Sequence, residues 1–163
     1  MKIAITGHTK GIGKGLANRL ISSYIGFSRQ NGYDISKAED RQRIIMESND
    51  CEIFINNAAA GFHQTTLLIE LFRAWQGQNK TIINVGSRIA EIDKLPYNRL
   101  DLLEYQAAKI MLKEMSYRLG NENCVVKYKW FAYVGTEEII RKYPHFTTSD
   151  YITVDQAVDI ILS

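Results

Sequence analysis

The sequence predicts an α/β fold, a doubly wound three-layer sandwich around a mainly parallel sheet of about 5–6 strands. Two observations predict it. Short apolar runs of strand length alternate along the chain with stretches of helical period. A glycine-rich turn, Gly7-His8-Thr9-Lys10-Gly11-Ile12-Gly13, joins the first such run to the first helical stretch.

The elements follow in order. Ile3 to Ile5 read as a short buried strand, and a helix runs from about Gly11 to Ser23, with Leu16, Leu20 and Tyr24 spaced at i, i+4 and i+8 on one face. A second strand spans Tyr24 to Ser28, and Asn31-Gly32 signals a turn. The next helix covers Ser36 to Ser48, with Ser36 and Glu39 spaced as a capping box. After a strand at Ile53 to Ile55, Thr65 to Trp75 read as a helix with Leu67, Leu71 and Trp75 on one side and Leu68 and Phe72 beside them. Thr81 to Val85 form a buried strand. A long helix over Leu102 to Leu119 carries Leu103, Ala107, Met111 and Met115 on its expected inner face. Val125 to Phe131 make the last strand, and Val154 to Leu162 the last helix.

The 163 residues predict a single domain over 1–163, with no room for a separate substrate domain. A net charge of +2, without basic runs interleaved with aromatics, argues against nucleic-acid binding. Cys51 and Cys124 each open an apolar run, so buried reduced thiols are expected. His8, His63 and His145 lack metal-ligand spacing, and no metal is expected. No apolar stretch approaches the ~20 residues that span a bilayer, and no signal peptide is evident, so a soluble cytoplasmic protein is expected.

The glycine loop carries the first functional signal. Its glycines allow a sharp turn and close approach of backbone to ligand. The helix behind it presents free N–H groups and a positive dipole end, which suit a pyrophosphate. Thr6-Gly7-x-x-x-Gly11-x-Gly13 resembles the cofactor loop of the short-chain dehydrogenases/reductases, and the resemblance extends through most of the chain. It implies a Rossmann-like domain with Gly7, Thr9, Lys10, Gly11, Ile12 and Gly13 at the cofactor.

The end of the second strand speaks to which cofactor. NAD-preferring Rossmann proteins place an acid there, whereas a neighbouring arginine accommodates a 2′-phosphate. This chain has Ser28-Arg29, and Lys10 lies in the glycine loop. Two cations beside one dianionic group make a consistent NADP(H) site. Asp34-Ile35-Ser36 resembles the adenine-contacting segment of the family.

The catalytic signal is Tyr105-Gln-Ala-Ala-Lys109, whose spacing puts both side chains on one helical face. A tyrosine hydroxyl titrates near pH 10, and a neighbouring ammonium favours its phenolate, so the pair suits proton exchange with a carbonyl or alcohol oxygen. Ser87, in Asn84-Val85-Gly86-Ser87, resembles the catalytic serine of the family, Tyr105 its acid/base and Lys109 its assisting lysine. Asn57-Ala58-Ala59, within Asn56-Asn57-Ala58-Ala59, resembles its Asn-Asn-Ala-Gly segment with Ala59 in place of glycine. Val134 and Thr136 resemble residues that contact the nicotinamide carboxamide.

The chain also departs from that pattern. Arg29 and Asp34 are too close to enclose a crossover helix, so the family's third strand is expected to be reduced or lost, with a short hairpin permitted at Asn31-Gly32. The relay asparagine has no clear match, and Gln64 is the nearest candidate. Phe131-Ala132 replace a Pro-Gly, the usual final strand is lacking, and 137–153 make only a small substrate lid. The resemblance leaves a homodimer open through the helices at 65–75 and 102–119.

The leading reading is therefore an NADP(H)-dependent oxidoreductase acting on a small-molecule carbonyl/alcohol pair. A second is a catalytically weak or inactive NADP(H)-binding sensor or regulatory protein. A sugar-nucleotide epimerase relative fits less well, because its glycine spacing usually differs and a substrate domain is lacking.

Overall fold

The computed structural model describes residues 1–95 and 99–163. Five strands form one sheet: β1 (Ile3–Thr6), β2 (Tyr24–Phe27), β3 (Ile53–Asn56), β4 (Lys80–Val85) and β5 (Cys124–Lys129). The order is β2-β1-β3-β4-β5, and every pairing is parallel. The chain steps outward from β1 to β2, then returns past β1 to build β3, β4 and β5. That reversal opens a crevice at the carboxyl ends of β1 and β3, where doubly wound folds bind ligands.

The strands read as unbroken apolar runs because both faces are covered. Ile3, Ile5, Ile55, Ile83 and Val85 point to one layer and pack with Leu16, Ala157, Val158 and Ile161. That layer holds α1 (Gly11–Leu20) and α6 (Val154–Leu162). Ala4, Phe54 and Ile82, one position out of phase, point to the other layer. There they meet α2 (Ala38–Glu47), α3 (His63–Trp75) and α4 (Leu100–Arg118), through Ile44, Leu67, Leu68, Leu71, Trp75 and Leu112. The short α5 (Glu137–Lys142) lies in the segment expected to be only a lid.

Several expectations are corrected. α1 stops at Leu20, three residues early, because Ile21 turns to φ 47°. Tyr24, counted on that helical face, is instead the first residue of β2, where the second strand was expected to begin. The Ser36–Glu39 capping box does not form: α2 starts at Ala38, with Lys37 preceding it, and the Ser36 hydroxyl donates to Asp34 Oδ1 at 2.7 Å. No hairpin forms at Asn31-Gly32. A 3-10 turn over Arg29–Asn31 ends in Gly32 at φ 87°, and the Tyr33 N–H closes back on the Ser28 carbonyl at 2.9 Å. That compact loop replaces a strand and its crossover. On α4 the expected inner face is rotated. Leu103, Ala107 and Met111 are exposed and Met115 half-buried, while Gln106, Ala108, Lys109, Leu112 and Ser116 face inward. Two of those inward residues, Gln106 and Lys109, make hydrogen bonds, partly buried for Gln106 and buried for Lys109, that a hydrophobicity pattern does not register.

Candidate active site

Asn57 links the end of β3 to the glycine turn. Its backbone N–H and that of Ala58 both donate to Thr6 Oγ1 at 3.0 Å. Its side-chain amide donates to the carbonyls of Thr6 and Gly7 at 3.1 and 3.3 Å. Gly7 and Gly11 have φ of 70° and 50°, a region that favours glycine. At Gly13 a Cβ would lie 2.0 Å from the Gly7 carbonyl oxygen, so the turn can fold onto α1 only with hydrogen there. The first turn of α1 contains no acidic residue, and Lys10 before it makes no side-chain cap. Its N–H groups are left facing the crevice, as an anion site needs.

Two adjoining cavities lie over this turn. One, of about 640 Å³, is bordered by Gly7, Thr9, Lys10, Ser28, Arg29, Asp34 and Ile35 on one side and by Asn57, Ala58 and Ala59 on the other. The second, of about 990 Å³, shares Thr9, Lys10 and Asn57 with the first and adds Gly11, Ile12 and Thr136. Ten of the residues expected at a cofactor thus meet in one hollow, contributed by three different strand ends.

Their side chains differ in what they can still bind. Arg29 and Lys10 are exposed, and neither has a carboxylate partner among the described residues. Ser28 is occupied: its hydroxyl and N–H both donate to Asn31 Oδ1, at 3.0 and 2.7 Å. Asp34 accepts from the Ser36 N–H and hydroxyl, and these bonds, with help from Arg29 and Lys37, hold its carboxyl below the ordinary range. Ile35 is buried in the core. Val134 is buried as well, in the layer that includes Ile12, so its side chain packs rather than opening to either cavity. Glu138, at the start of α5, borders both cavities and was not anticipated from the sequence; no spacing rule connects it with the glycine turn.

The residues expected to be catalytic stand just after β4 and on α3 and α4. Ser87 leaves the strand in extended conformation, and its Oγ accepts the Ile89 N–H at 3.3 Å at the head of a 3-10 turn over Arg88–Glu91. Gln106 on α4 donates to the Ile89 and Ile92 carbonyls at 3.1 and 2.6 Å, fixing that turn against the helix one residue from Tyr105. Tyr105 is 41% exposed, whereas Lys109 is buried at 5%. The Lys109 ammonium lies 5.6 Å from the centre of the Tyr105 ring.

Lys109 has an uncharged partner. Its Nζ donates to Gln64 Oε1 at 2.7 Å. Gln64, at the start of α3 and 2% exposed, donates through Nε2 to the Asn56 and Val85 carbonyls at 2.8 and 3.1 Å. The amide is pinned between the ends of β3 and β4, so its oxygen must face α4. Burial without a counter-charge pushes the Lys109 pKa down to about 8. Nearby, the Tyr128 hydroxyl is buried and pushed up to about 12 by desolvation, and Gly86 is required because a Cβ there would lie 2.2 Å from it.

Cys51 and Cys124 are free and buried, as expected, with both thiols pushed up by desolvation. No helix among the described residues is long and apolar enough to cross a membrane. Among the same residues no group of His, Cys, Asp or Glu is placed to hold a metal.

No protein-family model matches the chain, and no curated protein sequence is significantly similar to it. Solved structures do match. A short-chain dehydrogenase from Burkholderia cenocepacia in complex with NADP shares 22% identity at a TM-score of 0.76, over 99% of this chain and 84% of its own. The 3-alpha-hydroxysteroid dehydrogenase from Pseudomonas sp. B-0831 complexed with NADH shares 17% at 0.75, over 99% and 88%. A short-chain type dehydrogenase/reductase from Mycobacterium marinum shares 17% at 0.73, over 99% and 87%. The fold of this chain is the short-chain dehydrogenase/reductase fold.

Proposed function

We propose that this protein is an NADP(H)-dependent oxidoreductase of the short-chain dehydrogenase/reductase type, interconverting a small carbonyl compound and its alcohol. The observation that carries the reading is Lys109, buried on α4 with its ammonium held by Gln64 and placed one helical turn from an exposed Tyr105. A buried lysine without an acid is costly, and a role beside a titrating hydroxyl accounts for it.

Nicotinamide dinucleotides are described with two of the similar structures, NADP in one and NADH in the other. The glycine turn, with its uncapped helix start, fits the pyrophosphate of either, and Lys10 and Arg29 favour the phosphorylated form. Gly7, Thr9, Gly11, Ile12 and Asn57 would hold the dinucleotide along the crevice, and Thr136 would close over it. When bound, it supplies the hydride donor or acceptor. Ser87 Oγ positions the substrate oxygen, the Tyr105 hydroxyl gives that oxygen a proton on reduction or takes one on oxidation, and Lys109 stabilises the phenolate. Gln64 acts through Lys109 as a positioning residue. Two buried free thiols suit a reducing cytoplasm.

One observation favours the second reading, an NADP(H)-binding sensor. Both cavities border the expected dinucleotide residues, but neither is bordered by Ser87, Tyr105 or Lys109. The test is titration with NADPH and NADH by nicotinamide fluorescence, followed by a panel of small carbonyls, with Tyr105→Phe in parallel. The enzyme reading expects NADPH oxidation by a carbonyl, a loss of roughly 10²–10⁴-fold in Tyr105→Phe, and cofactor binding retained. Binding with no turnover across the panel favours the sensor, and equal turnover by Tyr105→Phe removes the acid/base assignment.

A further inference from the structure

Asn56 and Asn84 stand side by side near the carboxyl ends of β3 and β4. They are register partners in the sheet, and both are fully buried. One contact settles how their amides point. The Gln64 main-chain carbonyl can only accept, and it lies 3.0 Å from Asn56 Nδ2, so the amino group of Asn56 faces it. The same group donates to Asn84 Oδ1 at 2.9 Å. In return, Gln64 Nε2 donates to the Asn56 and Val85 carbonyls. Asn56 and Gln64 therefore hold each other, each through its side-chain amide and the other's main chain. The bonds run from Asn84 through Asn56 to Gln64, and Gln64 Oε1 in turn accepts from the Lys109 ammonium.

For stability alone this is a poor arrangement. With the amides so turned, Asn56 Oδ1 and Asn84 Nδ2 are buried and have no hydrogen-bond partner among the described residues. Each unpaired atom bears its desolvation uncompensated, and two apolar side chains of similar shape would avoid that loss. What the asparagines supply is direction. Asn56 Nδ2 and Gln64 Nε2 each make two bonds, which leaves Gln64 Oε1 one way to face, toward α4. Asn84 is the outer end of this set. It provides the acceptor that keeps the Asn56 amide turned to Gln64.

We propose that Asn84 is a positioning residue for Lys109, acting through Asn56 and Gln64. Its effect on turnover rests on the oxidoreductase reading, in which Lys109 stands beside the titrating hydroxyl. Its effect on where the ammonium sits does not.

The test reads the two effects separately. Lysines are isotopically labelled at Cε for NMR, and Lys109→Met assigns the Lys109 resonance. Buried, with its ammonium 5.6 Å from the centre of the Tyr105 ring, Lys109 is expected to resonate apart from the exposed lysines. Asn84→Leu removes the acceptor at similar volume and is expected to move that resonance toward theirs. Asn84→Asp still offers Asn56 an acceptor and is expected to leave the resonance nearer its wild-type place. With NADPH and a carbonyl that the wild-type chain reduces, Asn84→Leu is expected to lower kcat roughly fivefold, the size of one hydrogen bond. KM and NADPH affinity are expected to hold, and Asn84→Asp to keep more of kcat. Should Asn84→Leu not fold, Asn84→Ser, polar but too short to reach Asn56, makes the same test. An unmoved Lys109 resonance or an unchanged kcat in the folded variant overturns the proposal, as does a displacement in Asn84→Asp as large as in Asn84→Leu. A wild-type chain that binds NADPH and reduces no carbonyl counts against the oxidoreductase reading instead, and the resonance then decides the positioning by itself.

Discussion

In the proposed reaction Lys109 is the group beside the titrating hydroxyl, and its burial has a measurable consequence. Its folded pKa, about 8, lies below that of a lysine in the unfolded chain. Between those values the unfolded state binds more protons than the folded one, so Lys109 favours folding increasingly as pH rises from about 8 toward the ordinary lysine range. Below pH 8 both states carry the charge and the folded state bears its full desolvation. Thermal unfolding midpoints should therefore show the protein gaining on Lys109→Met between pH 8 and 10; midpoints that run parallel would mean Lys109 is protonated throughout. At the other end of the crevice, Arg29 stands free at the rim of the 640 Å³ cavity while Ser28 is held by Asn31. Arg29→Ala should weaken NADPH by roughly tenfold, the size of one charge-assisted bond, with little change for NADH. Parallel losses, measured by the same fluorescence titration, would remove the 2′-phosphate role. These residues were legible in the sequence because each sits in a run with fixed spacing. The hydrogen bond from Lys109 to Gln64 was not, since it depends on how α3 and α4 meet. Gln64 was the nearest candidate for the missing asparagine, and the pinning of its amide by the Asn56 and Val85 carbonyls is what turns its oxygen toward Lys109.

At the scale of elements, a buried ion pair helps to hold the shortened connection after β2. Arg41 on α2 is buried, donating to Glu70 on α3 through Nε and Nη2 at 2.9 and 3.2 Å and to the Ile35 carbonyl through Nη1 at 3.0 Å. This clamp fixes the loop that carries Asp34 and Ile35 where a strand would otherwise hold it. Removing one partner leaves a charge buried alone, a loss of roughly 3–5 kcal/mol. Glu70→Ala is expected near the lower end, because Glu70 retains some contact with solvent. Chemical denaturation should show a shifted midpoint with an unchanged slope, and a double variant with Arg41→Met should recover much of the loss. The sequence showed that a crossover was missing between Arg29 and Asp34, because the four residues between them cannot hold a helix. It did not show what filled the gap. The 3-10 turn, the φ of 87° at Gly32 and the Arg41 clamp are choices among several that the same residues permit locally. The Ser36–Glu39 spacing misled for a related reason: Ser36 found a nearer acceptor in Asp34.

The rotation of α4 matters for the whole molecule. Its interior face carries Gln106, Lys109 and Ser116, and its apolar residues Leu103, Ala107, Ile110 and Met111 are turned outward. Ala108 and Leu112 pack into the core, but Leu103, Ala107, Ile110 and Met111 follow one another along the outer side as an apolar stripe, which monomers seldom keep exposed. The doubly wound fold was evident from the alternation of runs, but this inversion was not, because helical period reports which residues share a face and not which face is inside. A second copy packing α3 and α4 against the same helices about a two-fold axis would cover Leu103, Ala107 and Met111, since such an interface is self-complementary. Sedimentation velocity should then find a dimer that dissociates on dilution. Met111→Glu brings two carboxylates together near the axis and should give a monomer with its far-UV spectrum and NADPH affinity unchanged. A wild-type chain that sediments as a monomer at tens of micromolar would reject this pairing. A dimer indifferent to Met111→Glu would place the interface elsewhere, with the exposed edge of β5, where Val125 is 44% accessible, the next surface to test.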